Sequence, residues 1–266
     1  MAKARTLIGS VLFLCATGAI AQAALEPHRA AYRLKLAGKN PASTLSDVRG
    51  GLVIEWRLAC DGWLSRQRLG FVAATDQGQD FTHDVRFSSW EATDGSRLRY
   101  TVRSYEGGVL EEEFRGEAWL ELKGGGGVAS FSAPREETIP LPPGTIFPTE
   151  HLQQVLIDAE GGKRLVSHAV FDGWGVDALT QITTVIGPSL TLKPLAAEVS
   201  SNDEESRAWP VSMAYYNIKE HADTPEFEAS FHLTDKGVLR DLLLDYGDFR
   251  LDATLERLEL LDRPDC

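Results

Sequence analysis

Hydrophobic and polar residues alternate with a period of two along most of the chain. An early example is the trio Tyr32, Leu34 and Leu36, which Arg33 and Lys35 interrupt. Alternation of this kind places apolar side chains on one face of a β-strand and polar ones on the other. The same pattern predicts further strands at 52–58, 81–87, 98–102, 118–122, 165–171, 178–186, 189–199, 211–219, 226–233, 238–246 and 249–261.

Pairs of turn-forming residues separate these segments. Asp94-Gly95 and Lys236-Gly237 are typical of tight turns between antiparallel strands. The same role is expected of Asp61-Gly62, Gly107-Gly108, Asp172-Gly173 and Gly247-Asp248. The chain lacks the sustained alternation of strands and helices that a parallel, doubly wound sheet requires. The pattern therefore predicts an all-β protein with mostly antiparallel strands.

One segment has helical spacing instead. Leu152, Val155, Leu156 and Ala159 recur at intervals of three and four residues, which predicts a helix over 149–159. The apolar stripe of a single helix needs an apolar surface to cover, and a curved sheet supplies one. We therefore expect one helix packed against a curved sheet.

The first residues have the features of an export signal. A short basic region with Lys3 and Arg5 precedes a brief apolar stretch and then small residues, which predicts a cleaved signal peptide over 1–23. Cys15 would leave with it, because this cysteine lies in the apolar stretch. Lipid attachment at Cys15 is not expected, because it requires small residues immediately before the cysteine, and Phe13 and Leu14 are large. We expect a single soluble domain over 24–266, in the periplasm of a Gram-negative bacterium. No second apolar run approaches the ~20 residues that cross a membrane.

Two cysteines, Cys60 and Cys266, remain after removal of the signal peptide. In an oxidising compartment two thiols in one chain normally pair. Their separation does not match the C-x-x-C spacing of redox-active pairs. We therefore expect a structural disulfide, which the loop-closure model credits with roughly 5 kcal/mol. Free thiols and intermolecular pairing are the alternatives.

The charge of the chain excludes one class of partner. The net charge is −12, and loss of Lys3 and Arg5 with the signal peptide brings it to −14. Such a chain repels polyanions, so we expect no nucleic-acid partner. The acidic residues are dispersed, which is typical of a solvated surface.

The histidines do not form a recognisable metal-binding motif. Glu150-His151 comes nearest to an H-E-x-x-H arrangement but lacks a second ligand one turn away. His83, His168 and His232 fall within predicted strands, where a half-buried, hydrogen-bonded ring is the expected role. His151 is expected to pack or hydrogen-bond across to the sheet. We predict no metal and no cofactor.

Motifs for catalysis are also missing. The chain contains no G-x-S-x-G sequence, and its many carboxylates form pairs by chance. The glycine run 124–127 lacks the Lys-Ser/Thr of a phosphate-binding loop and is interpreted as a loop or hairpin. The polar segment 200–207 is interpreted as a mobile loop. Five of the six tryptophans lie in or beside predicted strands, which favours core and rim packing over a sugar platform. We predict no catalytic residues.

The order of several short motifs resembles the EipB family of bacterial cell-envelope integrity proteins, along nearly the whole chain after the signal peptide. The most specific piece is Leu141-Pro142-Pro143-Gly144 leading into Phe147-Pro148-Thr149-Glu150-His151. The other pieces are His28 with Tyr32, Cys60-Asp61-Gly62-Trp63, Trp90-Glu91 with Asp94-Gly95, Phe171-Asp172-Gly173, Trp209-Pro210-Val211, Pro225-Glu226-Phe227-Glu228, Leu244-Asp245-Tyr246-Gly247-Asp248-Phe249 and Cys266.

The resemblance implies a β-spiral, in which one antiparallel sheet curls into a partly closed barrel around a packed helix, as in periplasmic lipoprotein carriers. It also implies a disulfide between Cys60 and Cys266. The family role is maintenance of the cell envelope, with a periplasmic protein of helical repeats as the implied partner. No catalytic residues come with the family.

Three functions are consistent with these observations. The first is a non-enzymatic protein that binds another protein or a cell-wall component at its outer surface. The second is a carrier that holds a lipid or acyl chain in the concave face of the sheet. Whether the helix 149–159 fills that face distinguishes the two, and its four apolar residues favour a filled interior. The third, an envelope hydrolase, lacks a catalytic arrangement.

Overall fold

The structure, a computed structural model, describes residues 25–121, 124–175, 178–196, 199–200, 205–218 and 223–266. In the first half, the strands are β1 (His28–Lys39), β2 (Leu45–Leu58), β3 (Gly62–Thr75), β4 (Asp80–Ala92), β5 (Arg97–Glu106), β6 (Val109–Leu120), β7 (Gly127–Ala133), β8 (Glu137–Leu141) and β9 (Thr145–Ile146). After helix α1 (Pro148–Glu160) come β10 (Leu165–Phe171), β11 (Leu179–Ile186), β12 (Leu190–Leu192), β13 (Ser206–Asn217), β14 (Phe227–Thr234), β15 (Leu239–Asp245) and β16 (Phe249–Leu260). The predicted signal peptide, 1–23, lies outside the described residues, and so does His221.

All of these strands belong to one sheet. Its order is β8-β7-β6-β5-β4-β3-β2-β1-β16-β15-β14-β13-β11-β10-β9, and β12 pairs with β13 beside this path. Every pairing is antiparallel except the short one between β9 and β10. The prediction of a curled, mostly antiparallel sheet with one helix is confirmed, and the sheet is nearly closed into a barrel.

The two edges of the sheet lie in the middle of the chain. Edge strands β8 and β9 are separated only by residues 142–144, so the turn that joins them also brings the edges together. The first and last strands, β1 and β16, are neighbours inside the sheet, with His28 opposite Leu260 and Lys39 opposite Phe249. The sheet is therefore two halves that pair through β1 and β16.

Helix α1 packs its apolar stripe into the main hydrophobic core. Leu152, Val155, Leu156 and Ala159 are 6, 0, 0 and 3% exposed, as the helical spacing predicts. This core takes residues from both halves of the sheet, among them Ile54, Trp56, Ile182, Trp209, Leu233, Leu242 and Leu251. The helix thus occupies the inside of the curled sheet. No helix in the described part of the chain is long and apolar enough to span a membrane.

A second, smaller core lies under strands β5 to β8. Three aromatic rings form its centre, with centroids 5.8 Å apart for Tyr100 and Phe131 and 5.7 Å apart for Tyr100 and Phe171. Phe147, directly before the helix, is fully buried in the same cluster. This second core holds the entry to α1 against the first half of the sheet.

Four strands were not predicted, and each lacks clean alternation. In β3, the inward face between Trp63 and Phe71 includes the buried Ser65 and the half-buried Gln67. Strand β7 has a short inward face of Ala129 and Phe131, β8 contains a proline, and β9 has two residues. Proline is compatible with β8 because β8 is an edge strand.

Two predicted segments have different bounds in the structure. The strand expected over 189–199 is limited to Leu190–Leu192. Strand β13 begins at Ser206, inside the segment 200–207 that was interpreted as a loop. The strand places the side chains of Trp209 and Val211 in the core, where both are buried. Residues 201–204 lie outside the described residues.

Candidate functional site

The two cysteines of the expected disulfide are bonded to each other. Cys60 lies in the turn after β2, Cys266 follows β16, and their Cα atoms are 5.6 Å apart. Strand β1 separates β2 from β16 in the sheet, so the bond crosses the end of β1. The backbone N–H of Leu261 also donates to the carbonyl of Pro27 at 2.8 Å. The segment after β16 therefore ties three neighbouring strands together.

Helix α1 begins in a socket that the first half of the sheet supplies. The residue at its N-cap position, Phe147, provides no side-chain cap. Glu91 of β4 takes that role, since its two carboxylate oxygens accept the backbone N–H groups of Thr149 and Glu150 at 2.8 Å each. Gly95 lies against the Glu150 carboxylate and has a positive φ of 69°. We call Glu91, Gly95, Phe147, Thr149 and Glu150 the helix socket.

The electrostatics of the helix socket depend on the buried carboxyl group of Glu91. Glu91 is 2% exposed, and this burial raises its pKa to about 7, against the effect of the N–H bonds from Thr149 and Glu150. The positive end of the helix dipole also favours the ionised form. Because both oxygens are occupied by backbone donors, Glu91 fixes the helix and is not placed to act as a general base.

A pair of histidines lies on the other side of the same helix turn. His151 of α1 and His168 of β10 pack edge to face, with ring centroids 5.4 Å apart. Burial lowers the pKa of His151 to about 3, and burial also lowers the pKa of His168. Both rings are therefore neutral near pH 7. His151 packs across to the sheet, as the sequence predicts.

The pair does not belong to a larger ligand set. Asp158, on the next turns of α1, accepts Gln154 at 3.0 Å and lies 2.7 Å from the amino group of Lys163. Within the described ranges, no group of three or more His, Cys, Asp or Glu residues could hold a metal ion.

The other described histidines have ordinary partners. The ring of His28 is buried on Trp56 and its Nδ1 lies 2.8 Å from the carbonyl of Glu26. His83 packs half-buried against Phe71, and His232 lies 2.9 Å from Asp241.

The motif Phe171-Asp172-Gly173 packs against Tyr100 in the second core. Gly173 has a φ of 84°, and a side chain there would overlap the Tyr100 ring. Burial raises the pKa of Asp172 to about 6, and its carboxylate accepts the backbone N–H of Trp174 at 2.9 Å. The motif is thus a turn whose shape depends on glycine.

The tryptophans divide between core and surface. Trp56, Trp63 and Trp209 are buried, as the core interpretation predicts, whereas Trp119 and Trp174 are 38% and 41% exposed. Outside the barrel, a groove of about 620 Å³ crosses strands β2 to β5 and is lined by Gly51, Val53, Gly70, Val72, Arg68, Arg86 and Tyr105, among others.

The structure brings together segments that carry the family resemblance. Cys60 to Trp63, Trp90 to Gly95 and Phe147 to His151 meet around the helix socket, where the Trp90 indole donates to Asp61 at 3.4 Å. In the sequence, Glu91 was identified only as part of the motif Trp90-Glu91, just after the strand predicted over 81–87. Nothing in the sequence identified its partner.

Comparisons with known proteins agree with this architecture. A sequence model of EipB-like proteins matches residues 19–262. The chain is 31% identical over 253 residues to the cell envelope integrity protein EipB of Brucella abortus (strain 2308), covering 94% of this chain and 89% of that protein. It is also similar to the crystal structure of a beta-barrel-like protein of a domain of unknown function from Brucella abortus, with a TM-score of 0.81 at 29% identity, over 90% of this chain and 99% of that one.

Proposed function

The chain belongs to the EipB-like family, and from this premise we propose that it supports the integrity of the cell envelope as a non-enzymatic binding protein. Its relative in Brucella abortus is named for that role, and neither similar protein is named as an enzyme. The binding surface is the outer face of the sheet.

The observation that carries this proposal is the filled interior. The four apolar residues of α1 are at most 6% exposed and pack into a core formed by both halves of the sheet. An acyl chain in the same place would have to displace them. A partly open pocket at the edge of this core, lined by Leu195, Val238 and Leu258 among others, has a volume of about 10 Å³, which is about enough for one water molecule.

A carrier of lipid or acylated ligands is the alternative, and it makes a different prediction in solution. Delipidated protein would bind a fluorescent fatty-acid probe with saturation if α1 can leave its core position. We expect no saturable binding. The carrier would be favoured if binding is saturable and if a point variant in the core face of α1 strengthens it.

The protein works in the periplasm under this proposal. The predicted signal peptide and the Cys60–Cys266 disulfide both suit an exported protein. Cell fractionation and N-terminal sequencing test this location. Cytoplasmic protein that retains residues 1–23 would contradict it.

The partner proposed from the family resemblance is a periplasmic protein with helical repeats, and a cell-wall component is the other candidate. Deletion of the gene tests the envelope role directly. We expect the deletion strain to become sensitive to detergent and to recover when the wild-type gene is restored. A deletion strain as resistant as its parent would contradict the proposed function.

A further inference from the structure

Four carboxylates on the outer face of the sheet are each shared by two arginines. The trios are Glu55 with Arg29 and Arg57, Asp84 with Arg68 and Arg86, Glu113 with Arg103 and Arg115, and Glu117 with Arg97 and Arg99. Each trio has a net charge of +1. Three of them lie on strands β3 to β6, so this part of the outer face is positive although the chain is acidic.

The Asp84 trio is held in a defined geometry. Arg68 donates from Nε and Nη2 to the two oxygens of Asp84, at 2.9 Å each. Arg86 donates from Nε and Nη2 to Oδ2 at 3.1 and 2.7 Å. These two guanidinium groups hold the pKa of Asp84 at about 2. Each of them uses two of its five N–H groups here, and both side chains are at least half exposed.

The Glu113 trio continues the same arrangement on the next strands. Arg103 donates from Nε and Nη2 to Oε1 of Glu113 at 3.0 and 2.9 Å, and Arg115 donates to the same oxygen at 2.6 Å. Arg103 points outward, since its strand neighbours Val102 and Ser104 are buried. Glu113 is opposite Arg103 in the register, and Arg115 follows two residues later on the same face. Within this trio, both arginines donate to Oε1 of Glu113 and neither donates to Oε2.

The register places like charges directly opposite each other. Arg68 of β3 pairs with Arg86 of β4, and Arg86 pairs with Arg103 of β5. Side chains in such positions are about 5 Å apart at Cβ, and like charges there are destabilising. We call these three residues the arginine row. Asp84 and Glu113 offset part of this repulsion, but a net positive charge remains, and a local rule broken in this way is typical of functional sites.

The surroundings of the row suit an interface. The Arg86 guanidinium stacks 4.6 Å from the centre of the Tyr105 ring. The outer groove runs beside it, where Gly51 and Gly70 are opposite each other and leave the backbone accessible between the exposed Val53 and Val72. Arginine, tyrosine and an apolar groove are the composition of protein interfaces.

The choice of basic residue is also selective. Between Lys39 and Lys123 the chain has nine arginines and no lysine, whereas elsewhere it uses both. Arginine presents a planar fork that binds carboxylates with two bonds, and lysine is a point charge. The choice of arginine over lysine is therefore a sign of this surface in the sequence, which the periodicity of hydrophobic residues does not show.

We propose that the arginine row and the groove beside it bind an acidic segment of a partner protein through its carboxylates. This inference rests on the proposed function and identifies the surface that performs it. Membranes attract polybasic segments through surface potential, for which lysine serves as well as arginine. Asp84 and Glu113 leave further guanidinium N–H groups of the row free. These donors border a groove, which suits an extended acidic segment better than the flat surface of a membrane.

Binding of a fluorescein-labelled decaglutamate peptide to the purified protein tests the chemistry. We expect wild-type protein to bind it in preference to a ten-residue Gly-Ser peptide, with affinity that falls as salt is added. R86Q/R103Q should weaken binding at least about tenfold. R86K/R103K should also weaken it, because the charge stays and the fork is lost. The charge-matched control R250Q/R257Q changes exposed arginines of β16 and should bind like wild type.

Three outcomes would overturn the inference, with thermal melting used to confirm that each variant is folded. These are equal affinity for the two peptides, equal affinity of R86Q/R103Q and R250Q/R257Q, and binding to vesicles of anionic phospholipid without binding to decaglutamate. The last outcome would assign the surface to a membrane.

Complementation of the deletion strain separates this inference from the proposed function. We expect R86Q/R103Q to leave the strain sensitive to detergent and R250Q/R257Q to restore resistance. If the deletion strain is sensitive and R86Q/R103Q fully restores its resistance, the inference about the arginine row is wrong and the proposed envelope role is unaffected. If deletion has no effect, the envelope role itself fails.

Discussion

The carboxylate of Glu91 accepts the backbone N–H of Thr149 at 2.8 Å across 58 residues of sequence. A strand residue thereby caps a helix that has no cap of its own. Replacing Glu91 with alanine leaves buried helix N–H groups unpaired, so we expect the free energy of unfolding to fall by about 1–3 kcal/mol. Urea unfolding measures this. The exposed strand residue Glu228 is the control, and an equal loss for Glu91→Ala and Glu228→Ala would contradict the capping role.

The pH dependence of stability should separate Glu91 from His151. Burial raises the pKa of Glu91 from 4.5 to about 7, so between these pH values the folded state binds more protons and stability falls as pH rises. Relative to Glu91→Gln, the wild-type protein should lose about 3 kcal/mol between pH 4.5 and 7. A constant difference between the two proteins across this range would contradict the buried, protonated carboxyl group.

His151 acts in the opposite direction. Its pKa falls from 6.5 to about 3 on burial, so between these pH values the unfolded state binds more protons and stability is lost as pH falls. We expect His151→Phe to reduce the loss of stability on acidification below pH 6.5. Urea unfolding of both proteins at a series of pH values checks this, and parallel curves would speak against it.

Loss of the disulfide should open the join between the two halves of the sheet. We expect the free energy of unfolding to fall by up to roughly 5 kcal/mol in Cys60→Ser, in Cys266→Ser and in reduced wild-type protein. All three should therefore melt at a lower temperature and be cleaved faster by protease. Mass measurement after alkylation without reduction is the chemical check. Two added alkyl groups, or melting that reduction does not change, would count against the bond.

The core position of α1 can be tested with two leucines. Leu156 is fully buried and Leu165 is 67% exposed. Leu156→Ala should lower the free energy of unfolding by about 2–5 kcal/mol because it leaves a cavity. Leu165→Ala should change it by less than about 0.5 kcal/mol. Similar small effects for both variants would mean that α1 does not fill the sheet.

Two glycines with similar φ values allow the effect of backbone strain to be distinguished from the effect of side-chain overlap. Gly173 and Gly78 have φ values of 84° and 73°, so alanine is strained at both, by about 1–2 kcal/mol. A side chain at Gly173 would also overlap Tyr100, whereas Gly78 has open space. Thermal melting should therefore show a larger loss for Gly173→Ala, and equal losses would argue against the Tyr100 contact.

The parts of the fold that depend on local patterns could be predicted from the sequence. The alternation around Leu34 and the helical spacing around Leu156 report directly which face is buried. Strand β3 could not be predicted, because the polar residues Ser65 and Gln67 interrupt the apolar alternation of its inward face.

The candidate site was harder to predict from the sequence, because its contacts join distant parts of the chain. Glu91 was visible as part of a motif, but its bonds to Thr149 and Glu150 depend on how the sheet curls. The arginine row required the register of β3, β4 and β5. Composition showed the arginines, and only the pairing showed that they face one another.

The pairing of β1 with β16 has a consequence for biosynthesis. Ribosomes make β1 first and β16 last of these strands, so the hydrogen-bonding edge of β1 stays open until nearly all of the chain has been made. Open strand edges promote aggregation, and contacts between distant residues form slowly. The nascent protein therefore has a long interval in which a chaperone must shield that edge, or in which β1 must remain unfolded.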